Sequence, residues 1–294
     1  MKKSSFINYL PILAGMIAIV CICMFTACEK EPSEKELGPY DTPSGFDQKK
    51  DGASYGTLEE KTYFSSTTGA NRKCWVYTPP GYDPSITYPV LYLLHGIGGT
   101  HNEWKEGGNP NEILSNLINS GSAKPMIAVM PNIRAMNPDG LPPDQFAPNV
   151  IAAFHNFKND LKNNLMPFIK TNYSVSDDRD KCAVAGLSMG GMESIHIMVT
   201  MPELFGYVGA FSASPGLPTE LTPDKMTLPD DFKDKTFILG CCGTKDTTAL
   251  ETSKSYNKQL EDNGITTTYY TIPDGYHGFD VWKNGLYNFA KRIF

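Results

Sequence analysis

Residues 182–191 read Cys182-Ala183-Val184-Ala185-Gly186-Leu187-Ser188-Met189-Gly190-Gly191, and their reading decides the fold. The first five are small or apolar, as in a strand buried on both faces. Residues 188–200 then continue as an apolar helical stretch. A serine therefore stands between the end of a strand and the start of a helix, in the pattern G-x-S-x-G. A sharp turn there exposes the Ser188 hydroxyl at the top of a sheet and strains its backbone. Gly186 and Gly190 lack the Cβ atoms that would collide as strand and helix cross. The helix aims its first N–H groups and positive dipole end at whatever reacts with Ser188. Ser188 is the candidate nucleophile, and the Met189 N–H is a candidate donor to an oxyanion.

The chain on either side alternates strand and helix. Residues 61–66 and 72–78 read as an antiparallel pair around the turn Thr68-Gly69-Ala70-Asn71. Residues 88–95 form a near-continuous apolar run, and strands are expected at 126–130, 182–186, 207–211, 236–242 and 266–272. The clearest helix spans 149–171, where Val150, Phe154, Phe157, Leu161, Leu165 and Phe168 recur at steps of three or four. Others are expected at 111–119, 188–200, 248–263 and 279–294. This order predicts an α/β domain with a mostly parallel central sheet and helices on both faces. In such a sheet, ligands bind beyond the carboxyl ends of the strands, where every motif below falls.

Leu94-His95-Gly96-Ile97-Gly98-Gly99 closes the run 88–95. With the serine turn it resembles the α/β-hydrolases, whose second oxyanion donor comes from the loop after this strand. The Ile97 N–H is the candidate, and His95 is expected to fix the loop by hydrogen bonding. The chain order of that fold is serine, acid, histidine. It excludes His95, His101 and His155 as the base. His196 lies eight residues after Ser188 on one helix, about 12 Å along the axis and out of reach. His277 remains, in Pro273-Asp274-Gly275-Tyr276-His277-Gly278. The acid is expected at Asp246, at the end of the strand 236–242, with Asp274 as competitor. Such an acid fixes the imidazole tautomer and stabilises the imidazolium.

The chain further resembles the feruloyl and acetyl xylan esterases of carbohydrate esterase family 1, from about Phe46 to the end. The resemblance rests on Tyr77-Thr78-Pro79-Pro80-Gly81-Tyr82, the Tyr92–Gly99 run, Met130-Pro131-Asn132, Gly186-Leu187-Ser188-Met189-Gly190-Gly191, Gly243-Thr244-Lys245-Asp246, and His277 with Val281-Trp282-Lys283. It departs at Tyr276-His277-Gly278, where relatives often carry Gly-His-Asp. It implies the triad Ser188, Asp246 and His277, no cofactor and no metal. It also implies release of hydroxycinnamate, or alternatively acetate, from plant cell-wall xylan. A ferric-siderophore esterase shares the fold. A non-catalytic glycan-binding lipoprotein is the reading from another class, and the retained triad argues against it. Trp104, Tyr276 and Trp282, with Phe279, flank the site loops as candidates to stack on an aromatic acid or sugar. Long loops at 132–148 and 212–234 are expected to shape the groove.

The N-terminus reads as an address. Lys2 and Lys3 precede an apolar run from about Leu10 to Ala27, and Phe25-Thr26-Ala27-Cys28 resembles a bacterial lipoprotein signal lipidated at Cys28. Phe25 departs from the usual Leu. The expected organisation is a signal peptide at 1–28, a flexible acidic tether at 29–45 and one domain at 46–294, exported and lipid-anchored. Residues 1–28 carry two Lys and no acid, so without them 24 basic face 32 acidic residues, a net of −8. With no basic run, nucleic-acid binding is excluded as a role. At 40% hydrophobic and 20% charged residues, the 294-residue chain is too apolar for general disorder. Cys74, Cys182, Cys241 and Cys242 sit in apolar runs without metal-ligand spacing and read as core thiols.

Overall fold

The computed structural model describes residues 38–294. The signal at 1–28, with its Cys28, and residues 29–37 of the tether lie outside the described residues. Eight strands form one sheet: β1 (Thr57–Ser65), β2 (Ala70–Thr78), β3 (Val90–Leu94), β4 (Ile127–Pro131), β5 (Cys182–Leu187), β6 (Tyr207–Phe211), β7 (Phe237–Gly243) and β8 (Thr268–Ile272). Their spatial order is β1-β2-β4-β3-β5-β6-β7-β8. β1 and β2 pair antiparallel, as do β2 and β4, and the rest are parallel. The expected mostly parallel sheet is found.

The continuous apolar runs have a direct cause. Val90, Tyr92 and Leu94 enter the core on one face of the sheet, and Leu91 and Leu93 enter the core on the other. A strand alternates its side chains, so two buried faces demand an unbroken apolar run. The helices are α1 (Glu103–Gly107), α2 (Pro110–Asn119), α3 (Pro148–Asp160), α4 (Met166–Asn172), α5 (Met189–Thr200), α6 (Asp230–Lys233), α7 (Leu250–Asp262) and α8 (Phe279–Ala290). Residues of α3, α4, α5 and α7 cover the first face, and residues of α1, α2 and α8 cover the second.

Three differences from the expected pattern have physical reasons. β1 begins at Thr57 rather than residue 61. It is a sheet edge whose first residues are mostly exposed, so no apolar alternation marks them. The helix expected at 149–171 is interrupted by a π turn at Leu161–Leu165. Pro167 has no N–H for a bond one turn back, and its ring crowds that turn, so the helix widens before it. The third concerns the tether, expected to run to residue 45. The Tyr40 ring stacks on Tyr270 with centroids 4.2 Å apart. Its carbonyl accepts from the Asn284 and Asn288 side chains at 2.9 and 2.8 Å, and the Pro39 carbonyl accepts from Arg292. The folded body thus includes residues 38–45, which carry one aromatic anchor and no apolar period to reveal it.

The Tyr40 anchor is testable. Tyr40→Ala should cost about 1–2 kcal/mol, lowering Tm by roughly 2–8 °C. A thermal melt unchanged from wild type would show that this segment contributes nothing to the domain.

Candidate active site

The turn between β5 and α5 is built as its glycines require. A Cβ on Gly186 would lie 2.4 Å from the Gly190 carbonyl carbon, and one on Gly190 would lie 2.5 Å from the Leu94 carbonyl oxygen. Strand and helix cross too closely for any side chain. Ser188 sits at the apex with φ +52° and ψ −115°, a conformation L-residues rarely adopt. Its N–H donates to the Phe211 carbonyl at 2.9 Å, and its carbonyl accepts from the Ser214 N–H at 3.1 Å. Those bonds tie the strained residue to the end of β6.

The hydroxyl of Ser188 lies 3.0 Å from His277 Nε2, and His277 Nδ1 lies 2.8 Å from Asp246 Oδ2. Three residues from separate loops at the carboxyl ends of β5, β7 and β8 thus form one relay. Asp246 is buried, and its second oxygen accepts from the Thr248 and Ala249 N–H groups at 3.0 and 2.9 Å. Burial alone would raise its pKa, but the bonds from His277 and the Ala249 N–H outweigh burial and hold it below the usual carboxylate value. With the acid ionised, the imidazole keeps its proton on Nδ1, and Nε2 faces the serine as an acceptor. Asp274, the competitor, is exposed and pairs with Lys245 at 2.8 Å. It stands at φ +58°, and its N–H donates to Thr244 Oγ1, so it shapes the loop and does not orient the base.

The loop after β3 abuts the serine: a Cβ on Gly96 would meet Ser188 Cβ at 3.4 Å. Ile97 lies on this loop and is half-buried, and Met189 directly follows the serine as the first residue of α5. His95 holds the loop as expected. Its Nδ1–H donates to the Gly96 carbonyl at 2.7 Å, and its Nε2 accepts the Ile133 N–H at 2.8 Å. Burial, with the positive Arg134 nearby, pushes its pKa down to about 3.

The aromatic candidates divide. Trp104 is 1% exposed, donates its indole N–H to the Leu94 carbonyl and packs edge-on against Phe211 and Phe279. It is a core residue, which corrects the expectation that it meets a substrate. Trp282 is 8% exposed and stands perpendicular to the His277 ring at 5.1 Å. It backs the imidazole and presents no free face for stacking. Tyr276 is 61% exposed and is the one of the three open to a ligand.

Sequence reasoning missed several residues at the site. Cys242, read as a core thiol, is one, with its sulfur 3.3 Å from Asp246 Oδ2. Glu103 and Arg134 are the others, since both bond to the loop after β3. No motif marks them, because their partners are backbone atoms, which constrain no residue type. His196, placed by its spacing only as out of reach of Ser188, is buried in α5, and its partner Glu193 was not foreseen. The Glu193 carboxylate joins His196 Nδ1 at 2.8 Å and His155 Nδ1 at 2.7 Å. By residue type these three could hold a metal ion. The Lys158 ammonium lies 3.2 Å from His196 Nε2 and donates to it, so Nδ1 carries a proton toward Glu193 and is not free to ligate.

The Esterase family model, described as "Putative esterase", matches residues 65–293. An endo-1,4-beta-xylanase/feruloyl esterase of Xylanibacter ruminicola is 32% identical over 251 residues, covering 82% of this chain and 32% of that protein. Endo-1,4-beta-xylanase Y of Acetivibrio thermocellus is 27% identical over 165 residues, 52% of this chain and 14% of that protein. The chain therefore spans a third or less of these two relatives. A solved CE1 ferulic acid esterase from Anaeromyces mucronatus, in complex with ferulic acid, superposes with a TM-score of 0.81 at 31% identity, covering 87% of this chain and 97% of that one.

The His95 environment sets a pH dependence. In the unfolded chain its imidazole takes a proton near pH 6.5; in the folded chain it does so only near pH 3. Between those values the unfolded state binds more protons, so stability is full above the upper one and falls as pH falls. The slope from this residue is at most about 1.4 kcal/mol per pH unit. In urea titrations, His95→Gln should lose stability less steeply than wild type from about pH 6 to pH 4. Equal slopes would mean that the folded protein protonates His95 without cost.

Proposed function

The chain belongs to the Esterase family, and from that premise we propose that it is a serine ester hydrolase freeing hydroxycinnamic acids, ferulic acid first, from plant cell-wall arabinoxylan. The observation that carries the reading is the relay from Ser188 to His277 to Asp246, at 3.0 and 2.8 Å. In the proposed reaction, Ser188 Oγ attacks the ester carbonyl while His277 Nε2 takes its proton. The N–H groups of Ile97 and Met189 hold the oxyanion. As the tetrahedral intermediate collapses, His277 gives the proton to the ester oxygen of the sugar, which departs as a hydroxyl and leaves an acyl-enzyme. Water, deprotonated by the same imidazole, releases the acid. Asp246 stays ionised throughout and stabilises the imidazolium. The chemistry calls for no cofactor or metal.

The acyl group is the finer part of the proposal. The names of the relatives at 31–32% identity support ferulate over acetate. A cleft of about 390 Å³, bounded in part by Gly98, Thr100, Leu141 and Phe279, lies beside the loop after β3 and has room for an aromatic acid. Tyr276, 61% exposed with the Lys245 ammonium 5.7 Å from its ring centre, offers an aromatic surface at the rim for a sugar or aryl group. We further propose that the enzyme is exported and lipid-anchored through Cys28. The sequence pattern at 25–28 supports this, together with the acidic stretch that follows.

The test compares wild type with Ser188→Ala, Asp246→Asn and Asp274→Asn on methyl ferulate and acetylated xylan. Ser188→Ala should abolish release of ferulate. Asp246→Asn should lower kcat by about 10³–10⁴, and Asp274→Asn by less than about twofold. Acetate release alone would keep the mechanism and move the substrate; silence on both would sink the esterase reading. Anchoring has its own check: a clickable fatty acid fed to expressing cells should label the chain, and Cys28→Ala should abolish the label. Labelling that survives the substitution would remove Cys28 as the anchor.

A further inference from the structure

The loop 96–99 carries the proposed oxyanion donor Ile97 among Gly96, Gly98 and Gly99. Glycines leave a backbone free to rotate. A peptide that turned over would present a carbonyl where the reaction needs an N–H. Three side chains remove that freedom, one peptide at a time. Glu103 Oε2 accepts the Gly96 N–H at 2.7 Å. His95 Nδ1–H donates to the Gly96 carbonyl at 2.7 Å, which turns the Ile97 N–H of the same peptide the opposite way. Arg134 Nη1 donates to the Ile97 carbonyl at 3.2 Å and to the Gly99 carbonyl at 2.7 Å, and Nη2 reaches the Gly140 carbonyl at 3.4 Å.

His95 belongs to a motif visible in the sequence; the two charged residues do not. Arg134 is fully buried, and Glu103 is partly buried. Neither serves a surface ion pair. A Cβ on Gly99 would lie 2.1 Å from Glu103 Oε2, so the carboxylate occupies the hollow that Gly99 leaves. Glu103 starts a helix of only five residues, too short for the helix dipole to explain where its carboxylate points.

We propose that Glu103 and Arg134 are positioning residues, a clamp of opposite charges on the loop 96–99 that keeps the Ile97 N–H aimed at the reacting carbonyl. The inference rests on the esterase reading above. A carboxylate on an N–H and a guanidinium on two carbonyls fix opposite ends of the same short segment, and reversing any one of those peptides breaks a charge-assisted bond. Both groups act on the loop through its backbone; Glu103 also borders the cleft of about 390 Å³, so a rise in KM without a fall in kcat would mark it as a binding residue instead.

The test measures kcat and KM for methyl ferulate with Glu103→Ala, Glu103→Gln and Arg134→Lys. Active sites are titrated with a fluorophosphonate, and inhibition by an aryl boronic acid reports on a tetrahedral adduct at Ser188. Losing an oxyanion donor outright costs about 10²–10³ in turnover, so a misaimed one in Glu103→Ala should cost about 10–100-fold in kcat per titrated site. KM should stay within about twofold, since the ground-state ester does not depend on the oxyanion. Boronate affinity should fall in step with kcat. Glu103→Gln should recover most of the loss, because its amide oxygen still accepts the Gly96 N–H. If buried Arg134→Lys does not fold, the Glu103 pair decides. An active wild type with undiminished kcat in Glu103→Ala would overturn the clamp alone, as would a rise in KM alone or a lower Tm without a change in kcat. A wild type that hydrolyses no ester and takes no fluorophosphonate would overturn the esterase reading and the clamp with it.

Discussion

The close crossing of β5 and α5 is the constraint on which the rest of the structure depends. Two missing Cβ atoms, at Gly186 and Gly190, let the helix begin against the ends of β5 and β3. That approach forces Ser188 to φ +52°, at a cost of about 1–3 kcal/mol. The strain persists because the surroundings over-determine it. Residues 189–198 are all buried, so α5 has no room to shift. The hydrogen bonds to Phe211 and from Ser214 hold the serine backbone at both ends. The next turn is strained as well: Ser212 adopts φ +48° and donates to the Cys241 carbonyl at 2.7 Å. The ends of β5, β6 and β7 are thereby locked together, and β7 is the strand that delivers Asp246.

Charge buried on the other side of the site performs a second locking. Arg72, on β2, is fully buried and bonds Asp160 at 3.0 Å and Asp139 at 3.3 Å. It also donates to the carbonyls of Asn132 and Arg134 at 2.5 and 2.8 Å. Tyr63 adds a bond to Asp160 at 2.6 Å. Buried charge is costly, and an apolar replacement is often as stable. What the network supplies is position: one guanidinium near the sheet edge pins the segment after β4, where Arg134 and the Asn132 side chain both reach toward the loop 96–99 and His95. Placement of the loop beside Ser188 is thus passed inward from β2.

The parts legible in the sequence are those with a local signature. Continuous apolar runs gave the parallel strands, because burial on both faces leaves no other pattern. Ser188 was legible through its glycines, and His277 through chain order and the short supply of histidines. Asp246 over Asp274 needed geometry to settle, since both lie at strand ends within reach of His277. Trp104 shows the limit. An indole beside a site loop reads the same whether it meets solvent or core, and only the bond to the Leu94 carbonyl and the packing on Phe211 decide. Glu103 and Arg134 left no trace because a bond to a backbone N–H or carbonyl constrains no partner residue type. The folded state of residues 38–45 escaped for a similar reason: one stacked tyrosine has no period.

The site's charges balance in a way that bears on how it can work. In the proposed reaction, proton transfer from Ser188 to His277 sets an imidazolium beside the Asp246 carboxylate as an oxyanion appears. In that proposal the α5 dipole and the N–H groups of Ile97 and Met189 are what meet the new negative charge. A bare carboxylate at Glu103 would oppose it, since like charges in a poorly hydrated place repel strongly. Burial holds the Glu103 pKa above the usual carboxylate value, and two features work the other way. The Gly96 N–H takes up one oxygen of the carboxylate at 2.7 Å, and the buried Arg134 guanidinium lies close enough to Glu103 for their charges to interact. An acid can therefore stand beside an oxyanion site when its charge is shared between an N–H and a guanidinium. Removing the cation alone would leave the worse arrangement, because the loop would loosen while an unbalanced negative charge remained beside it. The two residues form one device, whose order comes from opposite charges meeting on a backbone that glycine has left free.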